Sequence, residues 1–240
     1  MNIVFLAAGK SSRIFKEVGK PKCLLKINNN SIIVNLIKNL KGLKIKTINI
    51  VVGFKSNLIK KELRKIKKIN FIYNRYYNSR EMLYSLILAL KKIDDDIIFS
   101  YTDIIYDRQI IKRLASKKNS MYLPILKNWQ KVWIRRKKEI KLDAEDLQID
   151  NNNNLKNIGN KITNISKVKY QFMGILMINK ENRNKVIKLY NSIKNNKKIH
   201  LTQFLNIIIK KKIDVKCLKY FKNWYEFDDI DDYFNYKKKF

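Results

Sequence analysis

Hydrophobic and polar residues follow one another along the chain in blocks that predict strands and helices in alternation. Residues 2–8 carry apolar and β-branched side chains, which is typical of a central strand buried on both faces of a parallel sheet. Apolar residues at helical spacing predict a helix over residues 31–43, with Ser31 as its N-cap. The alternation continues with a strand, a helix and a strand over residues 47–52, 57–66 and 69–73. This order predicts an α/β fold with a Rossmann-like, mostly parallel mixed sheet flanked by helices.

The second half of the chain predicts further elements, with one change of pattern. An apolar strand over residues 97–99 leads to Asp103. Residues 128–150 show no clean helical period, so we interpret them as an insertion of β-hairpins. The remaining segments predict strands over residues 121–125, 170–178, 214–218 and 224–227, and helices over residues 181–193, 201–209 and 229–236.

The loop after the first predicted strand has the composition of a phosphate-binding loop. Residues 9–13 are small or basic, so their backbone N–H groups can approach an anion closely, while Lys10 and Arg13 add positive charge. Farther on, Pro21 stiffens the backbone ahead of Lys22, whose ammonium can then be held in one place. The alternative interpretation is an ordinary exposed turn between a strand and a helix.

The net charge of the chain is large, but it does not change the predicted fold or the candidate phosphate-binding loop. The chain carries a formal net charge of +33, from 53 basic and 20 acidic residues. That excess by itself favours a polyanionic partner such as nucleic acid or an anionic membrane. The lysines are spread along the whole chain in the company of Ile and Asn, so we interpret the charge as a compositional bias. We therefore expect no specific nucleic-acid partner.

Length and cysteine content set further limits. A chain of 240 residues with 45% hydrophobic content suits one domain with a substantial core. Cys23 and Cys217 lie far apart and lack metal-ligand spacing, which argues against a zinc site and against a disulfide framework. The sequence predicts neither a signal peptide nor a transmembrane segment, so we expect a cytoplasmic protein.

Two strings near the N-terminus carry a resemblance to a known family. LAAGKSSR over residues 6–13 and GKPKCLLKI over residues 19–27 resemble the signature of nucleotidyltransferases that activate phosphorylated small molecules with an NTP. In that family the segment that here contains Glu81 and Ser85 lies against the nucleotide base. The resemblance implies that Lys22 and Arg13 are catalytic. It implies a nucleotide site formed by Leu6, Ala7, Ala8, Gly9, Lys10, Ser11, Ser12, Arg13, Lys22, Glu81, Ser85 and Thr102.

Two aspartates that each follow a predicted strand are candidate Mg²⁺ ligands. Asp103 comes after the strand over residues 97–99, and Asp228 comes after the strand over residues 224–227. Strand ends face the ligand crevice of a parallel sheet, and Mg²⁺ is held by one or two carboxylates plus substrate phosphates. The strings SYTD and WYEFDDIDDY, which contain these aspartates, resemble the family's metal-binding strand ends. A helix N-cap is the alternative role for each aspartate.

The segment over residues 128–150 combines Trp, Arg and acidic side chains. A comparable arrangement occurs in cytidylyltransferases that act on phosphocholine or similar small acceptors, and the resemblance implies that the β-hairpin insertion closes over the acceptor. Trp faces can hold an ammonium group, Glu145 or Asp143 can pair with an amine, and the arginines can grip a phosphate. The alternative is that the Trp residues are core and the arginines exposed. The expected acceptor residues are Trp129, Trp133, Arg136, Asp143, Glu145, Gln171 and Gly174.

These features together predict a reaction and a division of the chain. We expect one domain over residues 1–240, in which about 1–126 bind the nucleotide and 127–240 bind the acceptor and supply the C-terminal metal ligand. The reaction is expected to be Mg²⁺-dependent transfer of CMP from CTP to a small phosphorylated acceptor with release of pyrophosphate. Its product would be a CDP-activated precursor for surface polysaccharide or lipid decoration. The single histidine, His200, cannot complete a triad or a metal cluster, so we expect a structural role for it.

Two alternatives to this function stay open. One is a sugar-phosphate nucleotidyltransferase that uses UTP, GTP or dTTP. The other is a non-catalytic homologue that binds RNA or a membrane surface through its positive charge.

Overall fold

The structure, a computed structural model, describes residues 1–136, 144–162 and 164–238. Its strands are β1 (Asn2–Ala7), β2 (Lys26–Ile27), β3 (Asn30–Ser31), β4 (Ile48–Val52), β5 (Ile69–Tyr73), β6 (Ile97–Tyr101), β7 (Ile104–Tyr106), β8 (Met121–Leu126), β9 (Glu145–Ile149), β10 (Leu155–Lys161), β11 (Gln171–Phe172), β12 (Ile175–Ile178), β13 (Val215–Tyr220) and β14 (Trp224–Glu226). Its α-helices are α1 (Ser12–Val18), α2 (Ile32–Lys38), α3 (Ser56–Leu63), α4 (Met82–Lys92), α5 (Gln109–Ala115), α6 (Trp129–Arg136), α7 (Lys180–Ser192), α8 (Leu201–Lys210) and α9 (Ile230–Lys237). Within the described ranges, no helix combines the length and the hydrophobicity needed to cross a bilayer.

An eight-stranded mixed sheet forms the centre of the fold. Strands β1, β4, β5 and β6 are parallel: β1 lies between β4 and β6, and β5 pairs with the far side of β4. Strand β12 pairs antiparallel with β6, and β8 pairs with β12, β11 and β13. The predicted Rossmann-like, mostly parallel mixed sheet with flanking helices is therefore confirmed.

Alternate side chains of β1 pack against helices on opposite faces of the sheet. Ile3, Phe5 and Ala7 belong to one buried cluster, which includes residues of α2, α3 and α5. Val4 and Leu6 belong to a second cluster, which includes residues of α4, α7 and α8. Full burial of one large apolar side chain contributes about 1.5–3 kcal/mol. Strand β1 is thus anchored from both sides, which fixes the start of the loop that follows it.

The ends of β1, β6 and β14 meet at one edge of the sheet. Thr102, directly after β6, donates a hydrogen bond through Oγ1 to the carbonyl of Leu6 at 2.9 Å. Strand β14 pairs antiparallel with β7, and just beyond it the N–H of Phe227 donates to the carbonyl of Asp103 at 2.8 Å. Segments that are distant in sequence are therefore side by side where the loop after β1 begins.

The prediction of β-hairpins throughout residues 128–150 is wrong for the first part of that segment, which forms helix α6. The buried positions of α6 are Trp129, Val132, Trp133 and Arg136, the i, i+3, i+4, i+7 spacing of a helix packed along one face. Because one of these four is an arginine, the helical period does not appear as an apolar pattern. A single antiparallel pair, β9 with β10, follows within the described residues.

The apolar segment over residues 170–178, predicted as one strand, is divided in two. Gly174 has a φ of 71°, in the left-handed region, and separates β11, which pairs with β8, from β12, which pairs with β6. A Cβ at this position would lie 2.8 Å from Cδ2 of Tyr101. Glycine therefore satisfies both the backbone angle and the space beside Tyr101.

Candidate active site

The loop between β1 and α1 is tied to Lys22 by a side-chain hydrogen bond. Ser11 has a φ of 54°, in the left-handed region, and immediately precedes α1. Its Oγ accepts a hydrogen bond from the backbone N–H of Lys22 at 3.0 Å, and its carbonyl accepts one from Phe15 at 2.8 Å. The two segments that carry the N-terminal resemblance therefore form one structural unit.

The ammonium of Lys22 lies between two carboxylates. Its Nζ is 3.3 Å from Oδ2 of Asp103 and 3.3 Å from Oδ1 of Asp228, and only 11% of the Lys22 side chain is exposed. Burial by itself lowers the pKa of Lys22, but the two carboxylates act against burial and the net result is a raised pKa. Lys22 is therefore a fixed positive charge at the place where the ends of β6 and β14 meet.

Asp228 is surrounded by cations on both of its carboxylate oxygens. Oδ1 faces Lys22 and also lies 3.6 Å from Nη2 of Arg13, while Oδ2 lies 2.9 Å from Nη2 of Arg136. Burial raises the pKa of Asp228, whereas Lys22 and Arg136 lower it, and the net pKa is lowered. Burial and the charge of Asp228 raise the pKa of neighbouring Glu226 well above its usual range. The surroundings thus favour the charged form of Asp228 and disfavour that of Glu226.

A cavity of about 300 Å³ lies over the loop after β1. Asp103 and Asp228 line it, together with Glu226 and Tyr101. The predicted nucleotide-binding residues that line it are Leu6, Ala7, Gly9, Ser11, Ser12, Arg13, Lys22 and Thr102. We call this space the first cavity. It brings the small and basic loop, the positioned lysine and both predicted metal ligands to one surface.

Four other residues predicted to bind the nucleotide lie away from the first cavity. Ala8 and Ser85 are buried, and Oγ of Ser85 accepts a hydrogen bond from Nδ2 of Asn74 at 3.0 Å. Lys10 belongs to the loop, and its side chain is exposed to solvent. Glu81 precedes α4 and lines a neighbouring cavity instead. These four side chains are therefore not part of the first cavity's wall.

The second cavity has a volume of about 290 Å³ and adjoins the first. Both cavities are lined by Met82, Tyr101, Glu226 and Asp228. Four of the predicted acceptor residues line the second cavity, namely Trp133, Glu145, Gln171 and Gly174. Asp228 and Glu226 therefore face the two cavities at their boundary.

A pair of hydrogen bonds fixes the wall of the second cavity. Oε1 of Gln171 accepts a hydrogen bond from the N–H of Glu145 at 3.0 Å, and Nε2 of Gln171 donates to the carbonyl of Glu145. Oε1 of Glu145 accepts a further hydrogen bond from Oγ1 of Thr202 at 3.3 Å. The start of β9 is thus bound to β11 and to α8.

Three predicted acceptor residues do not contribute in the expected way. Trp129 is fully buried, and its Nε1 donates to the carbonyl of Val168 at 3.1 Å, so it belongs to the core. Arg136 is also buried and donates to carboxylates, so it does not face the second cavity as a phosphate ligand. Asp143 lies outside the described residues.

His200 has a position that its isolation in the sequence did not indicate. It precedes α8, where its backbone N–H donates to Oε1 of Gln203 at 3.1 Å, in agreement with a structural role. Its side chain also lines the second cavity, and its Nδ1 lies 3.2 Å from Oε2 of Glu81. Two residues that each precede a helix therefore meet at the second cavity.

Sequence reasoning also missed Glu226, Tyr101 and Thr202. Glu226 had a usable signal, because it lies two positions before Asp228, and residues two apart on an extended segment point to the same face. Tyr101 had a weaker one as the last residue of a strand that leads to Asp103. Thr202 had none, because its contact with Glu145 depends on the packing of distant elements.

The carboxylates of the first cavity are compatible with Mg²⁺. Asp103 and Asp228 both line this cavity and supply hard carboxylate oxygens, each 3.3 Å from Lys22 Nζ. Among the described residues there is no group of three or more His, Cys, Asp or Glu side chains with the arrangement of a metal site. A Mg²⁺ ion here would therefore share its ligands between two carboxylates and substrate phosphates.

Comparison with known proteins yields one family match and one curated relative of similar length. The family model of the MobA-like NTP transferase domain matches residues 3–133. CTP:phosphoglutamine cytidylyltransferase of Campylobacter jejuni is 29% identical over 247 residues, covering 97% of this chain and 97% of that protein. The match extends beyond the family model, through the residues that line the second cavity.

Solved structures share the fold over nearly the whole chain. The inositol-1-phosphate CTP transferase from T. maritima has a TM-score of 0.79 at 18% identity, covering 96% of this chain and 90% of that one. The CTP:phosphocholine cytidylyltransferase from Streptococcus pneumoniae has a TM-score of 0.72 at 16% identity, covering 99% and 98%. At these identities the likeness establishes a common fold over nearly the whole chain.

Proposed function

This chain belongs to the MobA-like NTP transferase family, and we propose that it transfers CMP from CTP to a small phosphorylated acceptor with release of pyrophosphate. The observation that carries the proposal is the position of Asp228 at the boundary of two cavities, with the Lys22 ammonium 3.3 Å away. The choice of CTP is supported by the C. jejuni relative, which by its name is a CTP-dependent enzyme.

In this proposal the two cavities divide the substrates between them. The triphosphate lies over the loop after β1, where backbone N–H groups and Arg13 hold the β and γ phosphates. An oxygen of the acceptor phosphate attacks the α-phosphorus of CTP and forms a new P–O bond. The bond from the α-phosphorus to the bridging oxygen breaks, and pyrophosphate leaves with that oxygen. Lys22 stabilises the negative charge at the α-phosphate, and no protein nucleophile is needed.

Asp103 and Asp228 would hold Mg²⁺ in the reacting complex. A bound divalent ion neutralises phosphate charge and helps to align the reacting groups. Lys22, already held by the same two carboxylates, keeps them close together. The protein's own contribution is thus mainly to position charges, which suits a transfer between two phosphates.

The second cavity suits an acceptor that also carries a positive charge. Among the residues that the structure describes, its lining contains no Lys or Arg, and its acidic side chains include Glu81 and Glu145. This lining contrasts with the net charge of +33 of the whole chain. Trp133 adds only an aromatic edge to this wall, because its ring is buried against Trp224 and the Arg136 guanidinium. We propose a phosphorylated amine or amino acid as acceptor, and a CDP-linked precursor for surface polysaccharide or lipid decoration as product.

A pyrophosphate-release assay tests the proposed function. The purified protein is incubated with Mg²⁺ and each of CTP, UTP, GTP and dTTP, in combination with phosphorylated amines, amino acids, alcohols and sugars. We expect turnover with CTP and a phosphorylated amine or amino acid. Turnover only with a sugar phosphate and another NTP would contradict the proposal. So would a complete lack of turnover combined with salt-sensitive binding of oligonucleotides.

Two lysine variants control the assay. Lys22→Ala removes the charge between Asp103 and Asp228 and should lower kcat at least about 100-fold. Lys10→Ala removes an exposed charge of the same loop that lies away from the first cavity. It should retain most of the activity, so the pair separates a positioned charge from the general basicity of the loop.

A further inference from the structure

A buried arginine joins the residues that line the two cavities. Trp133 and Arg136 lie three positions apart on the buried face of α6. Trp133 lines the second cavity, and Arg136 contacts Asp228, which lines both. Arg136 itself is only 1% exposed and belongs to the lining of neither cavity. It is therefore placed between the proposed acceptor and the proposed metal ligand.

Arg136 determines which oxygen of Asp228 is available to the substrates. Nη2 of Arg136 donates to Oδ2 of Asp228 at 2.9 Å, whereas Oδ1 faces Lys22 at 3.3 Å. The rigid planar guanidinium restricts rotation of the carboxylate more than a flexible ammonium would. Oδ2 is thus held on the buried side and Oδ1 is presented to the cavities.

Asp232 holds the arginine and the aspartate in a common frame. Its Oδ1 accepts a hydrogen bond from Nε of Arg136 at 3.0 Å, and its Oδ2 accepts one from Nη2 at 3.2 Å. The same Oδ2 accepts a hydrogen bond from the backbone N–H of Asp228 at 2.8 Å. Asp232 is completely buried, so a carboxylate inside the protein fixes both the guanidinium and the backbone that carries Asp228.

The guanidinium also covers the face of an indole. Its central carbon lies 5.1 Å from the centre of the Trp133 ring. Trp133 stacks on Trp224, with ring centres 5.9 Å apart and planes 13° apart, and meets the edge of Trp129 at 5.5 Å. These three residues are all the tryptophans of the chain. Tryptophan emission therefore reports directly on the surroundings of Arg136.

We infer that Arg136 is a positioning residue, which orients the Asp228 carboxylate for Mg²⁺ and makes that orientation responsive to the acceptor through Trp133. An acceptor group that contacts the Trp133 ring in the second cavity shifts the indole against the Arg136 guanidinium. The guanidinium in turn holds Oδ2 of Asp228 through a hydrogen bond, so its shift moves that carboxylate. We take this coupling to be favourable, so that acceptor binding strengthens Mg²⁺ binding. Because coupling between two binding events is reciprocal, Mg²⁺ then strengthens acceptor binding to the same extent. The reaction in which this matters is the proposed function, on which that part of the inference rests.

The variant Arg136→Lys tests the orientation, with Arg135→Lys as its matched control. Both changes keep the positive charge, and Arg135 is exposed on the same helix. Removal of a hydrogen-bonding partner behind a metal ligand typically lowers metal affinity or activity about 10- to 100-fold. We expect R136K to lower kcat by this factor and to raise the half-saturating Mg²⁺ concentration, with a nearly unchanged KM for CTP. R135K should match the wild type in each quantity.

Mg²⁺ alone supplies a second readout that requires no turnover. Tryptophan emission is followed while Mg²⁺ is added to the wild type, to R135K and to R136K. We expect a saturable change in the first two proteins and a weaker response, shifted to higher concentration, in R136K. An R136K curve that overlays the wild-type curve would overturn the inference, and so would a wild-type emission that does not respond. If the wild type turns over no substrate, the proposed function fails while this titration still decides the inference.

A second variant covers the case in which R136K does not fold. Trp133→Phe keeps an aromatic ring against Trp224 but presents a smaller face to the guanidinium and to the acceptor. We expect it to fold, to show a raised KM for the acceptor, and to lose the effect of acceptor on the half-saturating Mg²⁺ concentration. The remaining two tryptophans still report Mg²⁺ binding. A Trp133→Phe protein in which acceptor and Mg²⁺ strengthen each other as in the wild type would overturn the link through Trp133.

Discussion

The hydroxyl of Ser11 accepts a hydrogen bond from the backbone N–H of Lys22 at 3.0 Å, so the loop after β1 holds the segment that carries the buried ammonium. The bond crosses between the two strings that together resemble a nucleotidyltransferase signature. Since Ser11 has a φ of 54°, its role has a side-chain part and a backbone part that different substitutions can separate.

Ser11→Ala and Ser11→Gly should lower kcat to a similar extent, because both remove the hydrogen bond to Lys22. A hydrogen bond of this kind contributes about 0.5–1.5 kcal/mol, so we expect a decrease of roughly 2- to 10-fold. Glycine adopts a positive φ without strain, so S11G should melt at a higher temperature than S11A. Steady-state kinetics and thermal unfolding of the two proteins check this. If kcat is higher in S11G than in S11A, in the same order as the melting temperatures, the loss of activity comes from backbone strain and not from the lost hydrogen bond.

Asp103→Asn and Asp228→Asn should each lower turnover at least about 100-fold while leaving the fold intact, because each removes a proposed Mg²⁺ ligand. Chelation of divalent ions should abolish wild-type turnover, and added Mg²⁺ should restore it. Asp231→Asn is the matched control, since Asp231 is exposed in the first turn of α9. Activity in D103N close to that of D231N would remove Asp103 from the proposed site.

Glu145→Gln should raise the KM for an amine-bearing acceptor by about 10-fold, the effect of one lost charge-assisted contact of about 1.4 kcal/mol. The KM for CTP should stay unchanged, because Glu145 lines the second cavity and not the first. Asp146→Asn provides the comparison, since the neighbouring Asp146 bonds to Gln148 and lines neither cavity. An equal effect of both changes would indicate general damage to β9.

Gly174→Ala should destabilise the protein by about 1–3 kcal/mol and disturb Tyr101, which borders both cavities. The added methyl group meets a ring carbon at 2.8 Å on a backbone with a φ of 71°. Gly42→Ala isolates the backbone part, because Gly42 has a φ of 78° but its nearest neighbour lies at 3.7 Å. In denaturant unfolding, G174A should have a much lower free energy of unfolding than G42A. Similar free energies for the two variants would show that the contact with Tyr101 does not destabilise G174A.

Asp150→Asn should destabilise the β9–β10 connection at neutral pH and matter less in acid. Hydrogen bonds from the side chain and the backbone of Asn154 lower the pKa of Asp150 to about 2, from 3.8. A lowered pKa stabilises the folded state above pH 4, and this contribution is lost as the pH falls through about 2. The stability difference between wild type and D150N should therefore shrink between pH 4 and pH 2. Unfolding curves at several pH values measure it, and a constant difference would contradict the assignment.

Local patterns pointed to the main groups of the candidate site because these groups follow strands. Asp103 comes after β6 of the central sheet, and Asp228 comes after β14, whose antiparallel pairing with β7 brings it to the same edge. Lys22 was recognisable through Pro21 and the small residues before it. The immediate sequence neighbours of each of these residues were enough to single it out as a candidate.

Other features depended on contacts between distant segments, which no local pattern encodes. Arg136 lies 92 positions from Asp228, and a lone arginine in a segment rich in charge gives no sign of being buried. Arg136 is also the reason why α6 was not predicted, because this helix buries an ion-paired arginine at a position where an apolar residue is expected. Gly174 divided one apolar run into two strands because of a tyrosine on another strand. In these cases tertiary contacts decided the local structure.

The ion pair between Arg136 and Asp228 also limits how the substrate range of this protein can be changed. Replacement of α6 alone, with the C-terminal strand kept, would leave the Asp228 carboxylate without its guanidinium partner unless the incoming helix also carried an arginine at this point. New acceptor preferences should therefore arise more readily by single changes in the cavity wall than by exchange of whole segments. An engineer who grafts a new specificity onto this scaffold should transfer α6 and residues 224–232 as one unit.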